Sequence, residues 1–281
     1  MTGTDAAGVV AGNVGSRDDG APLTRGSALT LGVVSIWLSL LVLIPLTAVV
    51  VKATGNGWSG YWHALSNPST AAALRLTIGQ AVLVTIVNVV MGTLVAWVLV
   101  RDDFAGKAVL DLVIDVPFAL PTIVAGLVLL SLYGPDSPVG LHFANTRVGI
   151  FIALLFVTVP FVVRAVQPVL LELDRDVEEA AASLGASRTT IFRRIVLPNL
   201  APAIAAGTAL CFARAVSEYG SLVLISGNLP FRTEVAAVRI LSLNENDNPA
   251  GAAAVASVLL VVAVVALLSI DGLRRWAVRR A

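Results

Sequence analysis

The chain has too few charged residues for an ordinary soluble protein. Only 13% of its 281 residues are charged and 57% are hydrophobic, whereas a soluble domain has about 25% charged residues. With one cysteine, Cys211, a disulfide within the chain is impossible, and two separated histidines argue against a metal site. The net charge of +1 gives no reason to expect a nucleic-acid partner. The composition therefore indicates an integral membrane protein.

Long apolar segments predict six transmembrane helices in an all-α membrane protein. A helix needs about 20 apolar residues to cross roughly 30 Å of hydrocarbon, where every backbone amide must be paired. We expect the third helix to be kinked, because it contains Pro117 and Pro121. The predicted spans cover about residues 28–51, 76–100, 109–133, 148–166, 201–225 and 250–270.

The distribution of lysine and arginine predicts the orientation of these spans. Thirteen of the 19 basic residues fall on the side of both termini and of the 164–199 connection, and four fall on the other side. Cytoplasmic connections accumulate positive charge, so we expect both termini to be cytoplasmic. Residues 1–27 are predicted to be a disordered tail, residues 28–273 the transmembrane domain, and residues 274–281 a basic tail.

The connection of residues 175–199 is predicted to form two short helices joined at a sharp corner. Asp176 and Glu179 have the spacing of a capping box at a helix start. Gly185 can end this helix in the left-handed conformation, and Ser187 can cap a second helix. Pro198 is expected to stop that second helix.

This connection resembles the cytoplasmic coupling loop, or EAA motif, of ABC-importer permeases, since it contains Glu179-Ala180-Ala181, Gly185 and Ile195-Val196-Leu197-Pro198. The resemblance implies that the loop docks into a separate ATPase. A competing interpretation is an amphipathic segment that only anchors the loop among lipid headgroups. The residues implied in ATPase coupling are Glu178, Glu179, Ala180, Ala181, Gly185, Ile195, Leu197 and Pro198.

The sequence has no phosphate-binding loop of its own, because Gly106-Lys107 lacks the glycine that such a loop requires at position 101. We also find no pattern of catalytic side chains. The chain is therefore expected to be a non-catalytic subunit without a cofactor, whose partner ATPase binds ATP and Mg²⁺.

Three further runs, residues 115–122, 160–173 and 217–228, resemble the T-type permease of sulfate/thiosulfate importers. This family implies a type I importer fold in a bacterial cell membrane, with a second permease, two ATPase subunits and an extracytoplasmic sulfate-binding protein. Molybdate permeases share the elbow, that is, the two short helices and sharp corner of residues 175–199. They also share a Gly-Glu-Phe-Gly element, which here reads Ser217-Glu218-Tyr219-Gly220. A molybdate or tungstate importer remains an alternative, although Thr233-Glu234-Val235 favours sulfate.

Arg214 and Glu218 lie one helical turn apart in the predicted fifth span. Charges at this depth are costly unless they are paired or hydrated. They are candidates for the translocation path or its gate, together with the hydroxyls of Ser217 and Tyr219. A structural ion pair is the alternative role for Arg214 and Glu218.

An ATP-independent anion carrier or a membrane scaffold is the alternative class of protein. Asp111 and Asp115 are expected to pair with neighbouring arginines.

Overall fold

The structure, a computed structural model, describes residues 25–278, so most of the predicted N-terminal tail and the last three residues lie outside the described part. Within this range every regular element is helical, which confirms the all-α class. The helices are α1 (Arg25–Leu38), α2 (Ile44–Ala53), α3 (Gly57–Ser66), α4 (Pro68–Arg101), α5 (Lys107–Ala119), α6 (Thr122–Tyr133), α7 (Arg147–Glu172), α8 (Arg175–Ser183), α9 (Arg188–Ile191), α10 (Leu197–Val216), α11 (Gly220–Ile225), α12 (Ala236–Glu245) and α13 (Pro249–Val278).

Five helical stretches are long and apolar enough to cross a membrane, or six if the bent pair α5–α6 counts as one span. Helix α4 begins at Pro68, eight residues before the predicted start, because the Asn67 side chain accepts a hydrogen bond from the Ser69 amide at 3.1 Å. The last apolar span, Pro249–Ser269, confirms the predicted sixth span, and helix α13 continues beyond it to Val278.

The third predicted span is broken rather than kinked. Helices α5 and α6 meet at an angle of 114°. Leu120 and Pro121 are both non-helical at the junction, because proline disfavours helical geometry in the residue before it and cannot donate a backbone hydrogen bond. The prediction of one continuous kinked helix is therefore wrong.

The fifth predicted span is also interrupted. Helix α10 ends at Val216, and residues 217–219 separate it from the short helix α11. Helix α11 packs against α6 so closely that a Cβ atom on Gly126 would lie 2.7 Å from the Ser221 carbonyl oxygen and 2.8 Å from its Cα. The short helices that follow the two breaks, α6 and α11, therefore pack against each other as a pair.

Replacing Gly126 with valine should destabilise this pair. The atoms that the new side chain would meet belong to the backbone of α11, which cannot rotate away, so we expect a loss of about 3 kcal/mol or more. The thermal unfolding midpoint of the detergent-purified chain would measure it. Gly32→Val is a matched control, because a Cβ there meets nothing within 4 Å. Equal midpoints for Gly126→Val and the wild type would contradict the close contact.

Two prolines are accommodated by wide helical turns, contrary to the prediction that Pro198 stops a helix. Residues 192–196 form a π-helical turn in which the Leu197 amide bonds the Phe192 carbonyl, and helix α10 follows directly. A turn of this kind shifts the hydrogen-bond register where proline has no N–H to donate. Residues 39–43 form a second π-helical turn, in which the Ile44 amide bonds the Ser39 carbonyl, and Pro45 follows as the second residue of α2. Helix α9 is consequently continuous with the membrane span α10.

The core lies between α4, α7 and α10, in the second of the two compact units into which the chain divides after Ala48. Buried apolar side chains form two large clusters along these helices. The same three helices are joined by a buried polar contact. The Asn88 amide of α4 donates to Thr158 Oγ1 of α7 at 2.8 Å and lies 3.7 Å from the Cys211 sulfur of α10. Such interhelical hydrogen bonds hold membrane helices together where the hydrophobic effect contributes little. Cys211 is fully buried, as the sequence predicts.

Candidate functional site

The 175–199 connection forms the predicted elbow, but its first helix starts earlier than expected. The cap is Asp174, whose carboxylate accepts a hydrogen bond from the Asp176 amide at 2.9 Å. Helix α7 ends at Glu172 and Leu173 turns the chain, so Asp174 is the last non-helical residue before α8. The capping box predicted at Asp176 and Glu179 is therefore wrong by two residues.

The corner of the elbow is at Gly185, where φ is +85°. The Gly185 amide donates to the Ala182 carbonyl at 2.9 Å, and the Ala186 amide donates to the Ala181 carbonyl at 3.1 Å. This pairing of a left-handed glycine with late-turn carbonyls is a standard way to end a helix. Ser187 then caps α9 by accepting from the Thr190 amide at 3.2 Å. Both features agree with the sequence prediction.

The residues of the motif divide into an exposed group and a group that faces the core. Helix α8 exposes Glu179 and Ala180, and Leu184 beside the corner is 90% exposed. Ala181 and Ile195 are half-buried and pack against the core cluster that contains Val166, Ile191 and Val196. The exposed members are Glu179, Ala180, Gly185, Leu197 and Pro198, and the partly buried members are Glu178, Ala181 and Ile195.

Glu178 makes an ion pair with Arg101 at the C-terminal end of α4. The Arg101 guanidinium also lies 5.7 Å from the centre of the Trp97 ring, within the range of a cation–π contact. Arg175 donates to the Val100 carbonyl at 3.2 Å. These contacts fix α8 to α4 beside a cavity of about 370 Å³. Sequence reasoning missed Arg101 because its partner is far away in the chain.

Removing the Glu178 carboxylate should loosen α8 while leaving the rest of the fold intact. The Glu178→Ala variant is expected to increase amide hydrogen exchange about five-fold or more across residues 175–183, because a partly buried charged hydrogen bond contributes about 1–2 kcal/mol. Glu179→Ala is the matched control, since Glu179 is exposed and neighbours it in sequence. Exchange that is equal in both variants would show that the Arg101 contact does not hold the helix.

A second charged cluster joins α5 to α7, as predicted for the two aspartates. Arg164 Nη1 lies 2.8 Å from Asp111 Oδ1, and Arg164 Nε and Nη2 lie 2.8 and 2.6 Å from the two oxygens of Asp115. The fork geometry of an arginine suits a bidentate contact with one carboxylate. The cluster therefore fixes α5 on α7 immediately before the break that leads to α6.

The structure brings Arg214 and Glu218 together, with Arg214 Nη2 2.7 Å from Glu218 Oε2. Glu218 is in the break after α10, not inside a span helix, and its side chain is fully buried. Its other oxygen accepts two hydrogen bonds of 3.0 Å, from the amide and the hydroxyl of Ser221. Glu218 thus connects α10 to the start of α11.

The other two predicted path residues are arranged differently. The Ser217 hydroxyl donates to the Ala213 carbonyl of its own helix at 3.0 Å, and the Tyr219 side chain is 38% exposed. The Ser217 hydroxyl therefore bonds to backbone carbonyls and not to the side chains of the ion pair.

The run Thr233-Glu234-Val235 is buried. The amide of the next residue, Ala236, donates to Thr77 Oγ1 at 2.8 Å, in the first third of α4 and away from the end of that helix that contacts the elbow. Burial raises the pKa of the Glu234 carboxyl, and Arg239 at 3.8 Å partly offsets this effect. Among the residues that the structure describes, no three His, Cys, Asp or Glu side chains are grouped to hold a metal ion.

Comparison with known proteins identifies the family of the chain. Residues 88–281 match the binding-protein-dependent transport system inner membrane component family. The chain belongs to this family. It is a multi-pass membrane protein, and the membership agrees with the resemblance that the elbow motif carries.

Similar proteins and solved structures extend over most of the chain. The sulfate transport system permease protein CysT of Salmonella typhimurium is 43% identical over 263 residues, 91% of this chain and 95% of that protein. The CysT protein of Synechocystis is 44% identical over 88% of each chain. A bacterial ABC transporter that imports alginate matches with a TM-score of 0.73 at 17% identity over 88% of this chain and 94% of that one, and the MetNI methionine transporter matches with 0.59 over 75% and 99%. The fold is therefore that of ABC-importer permeases.

Proposed function

We propose that this chain is a membrane-spanning permease subunit of an ATP-driven sulfate importer and forms half of the anion path. The observation that supports this most strongly is the similarity to sulfate permeases over about nine-tenths of both chains. Thiosulfate is chemically close enough to share the path. The chain itself supplies no catalytic group, and ATP and Mg²⁺ bind to the partner ATPase.

Coupling to that ATPase occurs at the elbow of residues 175–199. The exposed surface around Glu179, Ala180 and Gly185 is available to a partner, while Glu178 and Arg101 attach the elbow to the bundle. Since residues 188–216 form one continuous 29-residue stretch, a displacement at the corner is carried about 40 Å along the helix axis. Its far end holds Arg214, so the elbow and the buried ion pair move as one element.

The proposed complex contains a second related permease, two ATPase subunits and an extracytoplasmic sulfate-binding protein in a bacterial inner membrane. Both termini and the elbow face the cytoplasm, in agreement with the concentration of arginine and lysine on that side. The description of the family as dependent on a binding protein supports the extracytoplasmic partner. The solved alginate transporter was crystallised with a periplasmic protein that binds its substrate.

Reconstitution of the copurified complex in liposomes would test this proposal. Sulfate together with its binding protein should stimulate ATP hydrolysis and uptake, and molybdate should stimulate neither. Stimulation by molybdate alone would overturn the assignment of the anion. Sulfate uptake by this chain without an ATPase would overturn the coupling mechanism.

A further inference from the structure

A cavity of about 380 Å³ lies beside the first turns of α4, at the end opposite the elbow. Arg75 of α4 lines this cavity. Arg101, which contacts the elbow, is at the other end of the same helix, about 40 Å away along its axis. Arg75 and Gly79, like Leu76 and Gln80, are spaced by four residues, so one face of α4 forms this side of the cavity. Arg147 at the start of α7 and Phe231 contribute the opposite side.

The charges in this cavity are all of one sign. Arg75 and Arg147 line it, and no aspartate or glutamate does. Neither arginine has a carboxylate within 4 Å among the described residues. Arg147 uses its Nε to donate to the Arg232 carbonyl at 3.1 Å, which orients the guanidinium and leaves its terminal nitrogens available. By contrast, each arginine in the following set faces a carboxylate: Arg101, Arg164, Arg214 and Arg239.

A polar group in the same wall also lacks a partner. The Gln80 side-chain oxygen is buried without a hydrogen bond from any described residue. Since the two ends of a glutamine amide exchange by a rotation, Gln80 can present its NH₂ group to an acceptor in the cavity. Two guanidinium groups and the NH₂ group of one amide supply N–H donors with no carboxylate among the lining residues, and this is the chemistry that binds oxyanions.

We propose that this cavity is an outer binding site for a tetrahedral oxyanion, which on the proposed function is sulfate on its way into the path. The volume exceeds that of a few water molecules at about 30 Å³ each, so the anion binds with part of its hydration shell. Weak binding of this kind suits a site that must also release its ion. A phospholipid phosphate has the same tetrahedral chemistry, and the experiment must separate these two sources.

Direct binding of radiolabelled sulfate to the purified permease–ATPase complex, prepared without the sulfate-binding protein in lipid-free detergent and without ATP, tests the site. Arg75→Gln and Arg147→Gln should each weaken binding about tenfold or more, as expected for a lost charged hydrogen bond. Gly79→Phe should have a similar effect without changing any charge, because the space beside Gly79 is open. Arg232→Gln is the matched control, since its side chain does not line the cavity and the substitution removes a charge while keeping the backbone carbonyl that accepts from Arg147.

The outcomes separate the site from the proposed function. Weaker sulfate binding in the three cavity variants and not in Arg232→Gln would support the site, whether or not the complex transports sulfate. Unchanged sulfate binding in those variants would overturn it. If the variants instead lose a copurifying phospholipid, detected by native mass spectrometry, with sulfate binding unchanged, the cavity is a lipid site. A wild-type complex that binds sulfate at this cavity but imports only another anion would refute the proposed function alone.

Discussion

Replacing Gly185 with proline should abolish sulfate uptake while the chain still inserts into the membrane. Proline fixes φ near −65°, whereas the corner requires φ of +85°, and the substitution also removes the amide that bonds the Ala182 carbonyl. The corner must then open, and on the proposed coupling the exposed surface of α8 no longer has the orientation that the ATPase requires. We expect uptake and sulfate-stimulated ATP hydrolysis in the reconstituted complex to fall at least a hundred-fold, by roughly 3 kcal/mol of lost coupling.

The matched control for this variant is Gly185→Asn. Asparagine adopts the left-handed conformation more readily than other non-glycine residues, so it should preserve the corner and most of the uptake. Gly140→Pro is a second control, because Gly140 also has a positive φ, of +72°, but lies between α6 and α7, away from the elbow. Normal uptake by Gly185→Pro, at wild-type amounts in the membrane, would refute the elbow mechanism.

The sequence is sufficient to predict the elements that depend on local chemistry. Runs of apolar residues identify the spans, and the corner at Gly185 follows from its lack of a side chain. The prolines show where this reasoning reaches its limit. Pro198 and Pro45 leave their helices continuous through π-helical turns, whereas Pro121 stands at a 114° break. The difference depends on what packs nearby, since α6 turns to meet α11.

Charged partners in the functional site are predictable only when they are close in sequence. Arg214 and Glu218 are four residues apart, so the sequence predicts their contact, and they remain paired although Glu218 lies just beyond the end of α10. Arg101 and Glu178 are 77 residues apart, and only the packing of α8 against α4 brings them together. Packing also decides which like charges lie near each other, since Arg75 of α4 and Arg147 of α7 line the same cavity.

Replacing Glu218 with alanine should destabilise the protein strongly. The substitution leaves Arg214 without its partner and removes the acceptor of both Ser221 hydrogen bonds. Breaking a buried ion pair costs about 3–5 kcal/mol, and we expect roughly 3 kcal/mol here because Arg214 is 31% exposed. A lower unfolding midpoint of the purified chain and a loss of uptake would follow. Ser217→Ala should change little, because that hydroxyl bonds only to carbonyls of its own helix.

A double variant decides between the structural and the transport interpretation of this pair. In Arg214→Met with Glu218→Gln both charges are gone, while the side-chain carbonyl of the introduced glutamine can still accept from Ser221. Replacing a whole buried pair by neutral groups is often harmless to stability, so the unfolding midpoint should return close to that of the wild type. Since the Glu218 carboxylate is fully buried, with one oxygen in the ion pair with Arg214 and the other hydrogen-bonded to Ser221, we expect uptake to return as well. A stable double variant that imports no sulfate would instead place the two charges in the anion path.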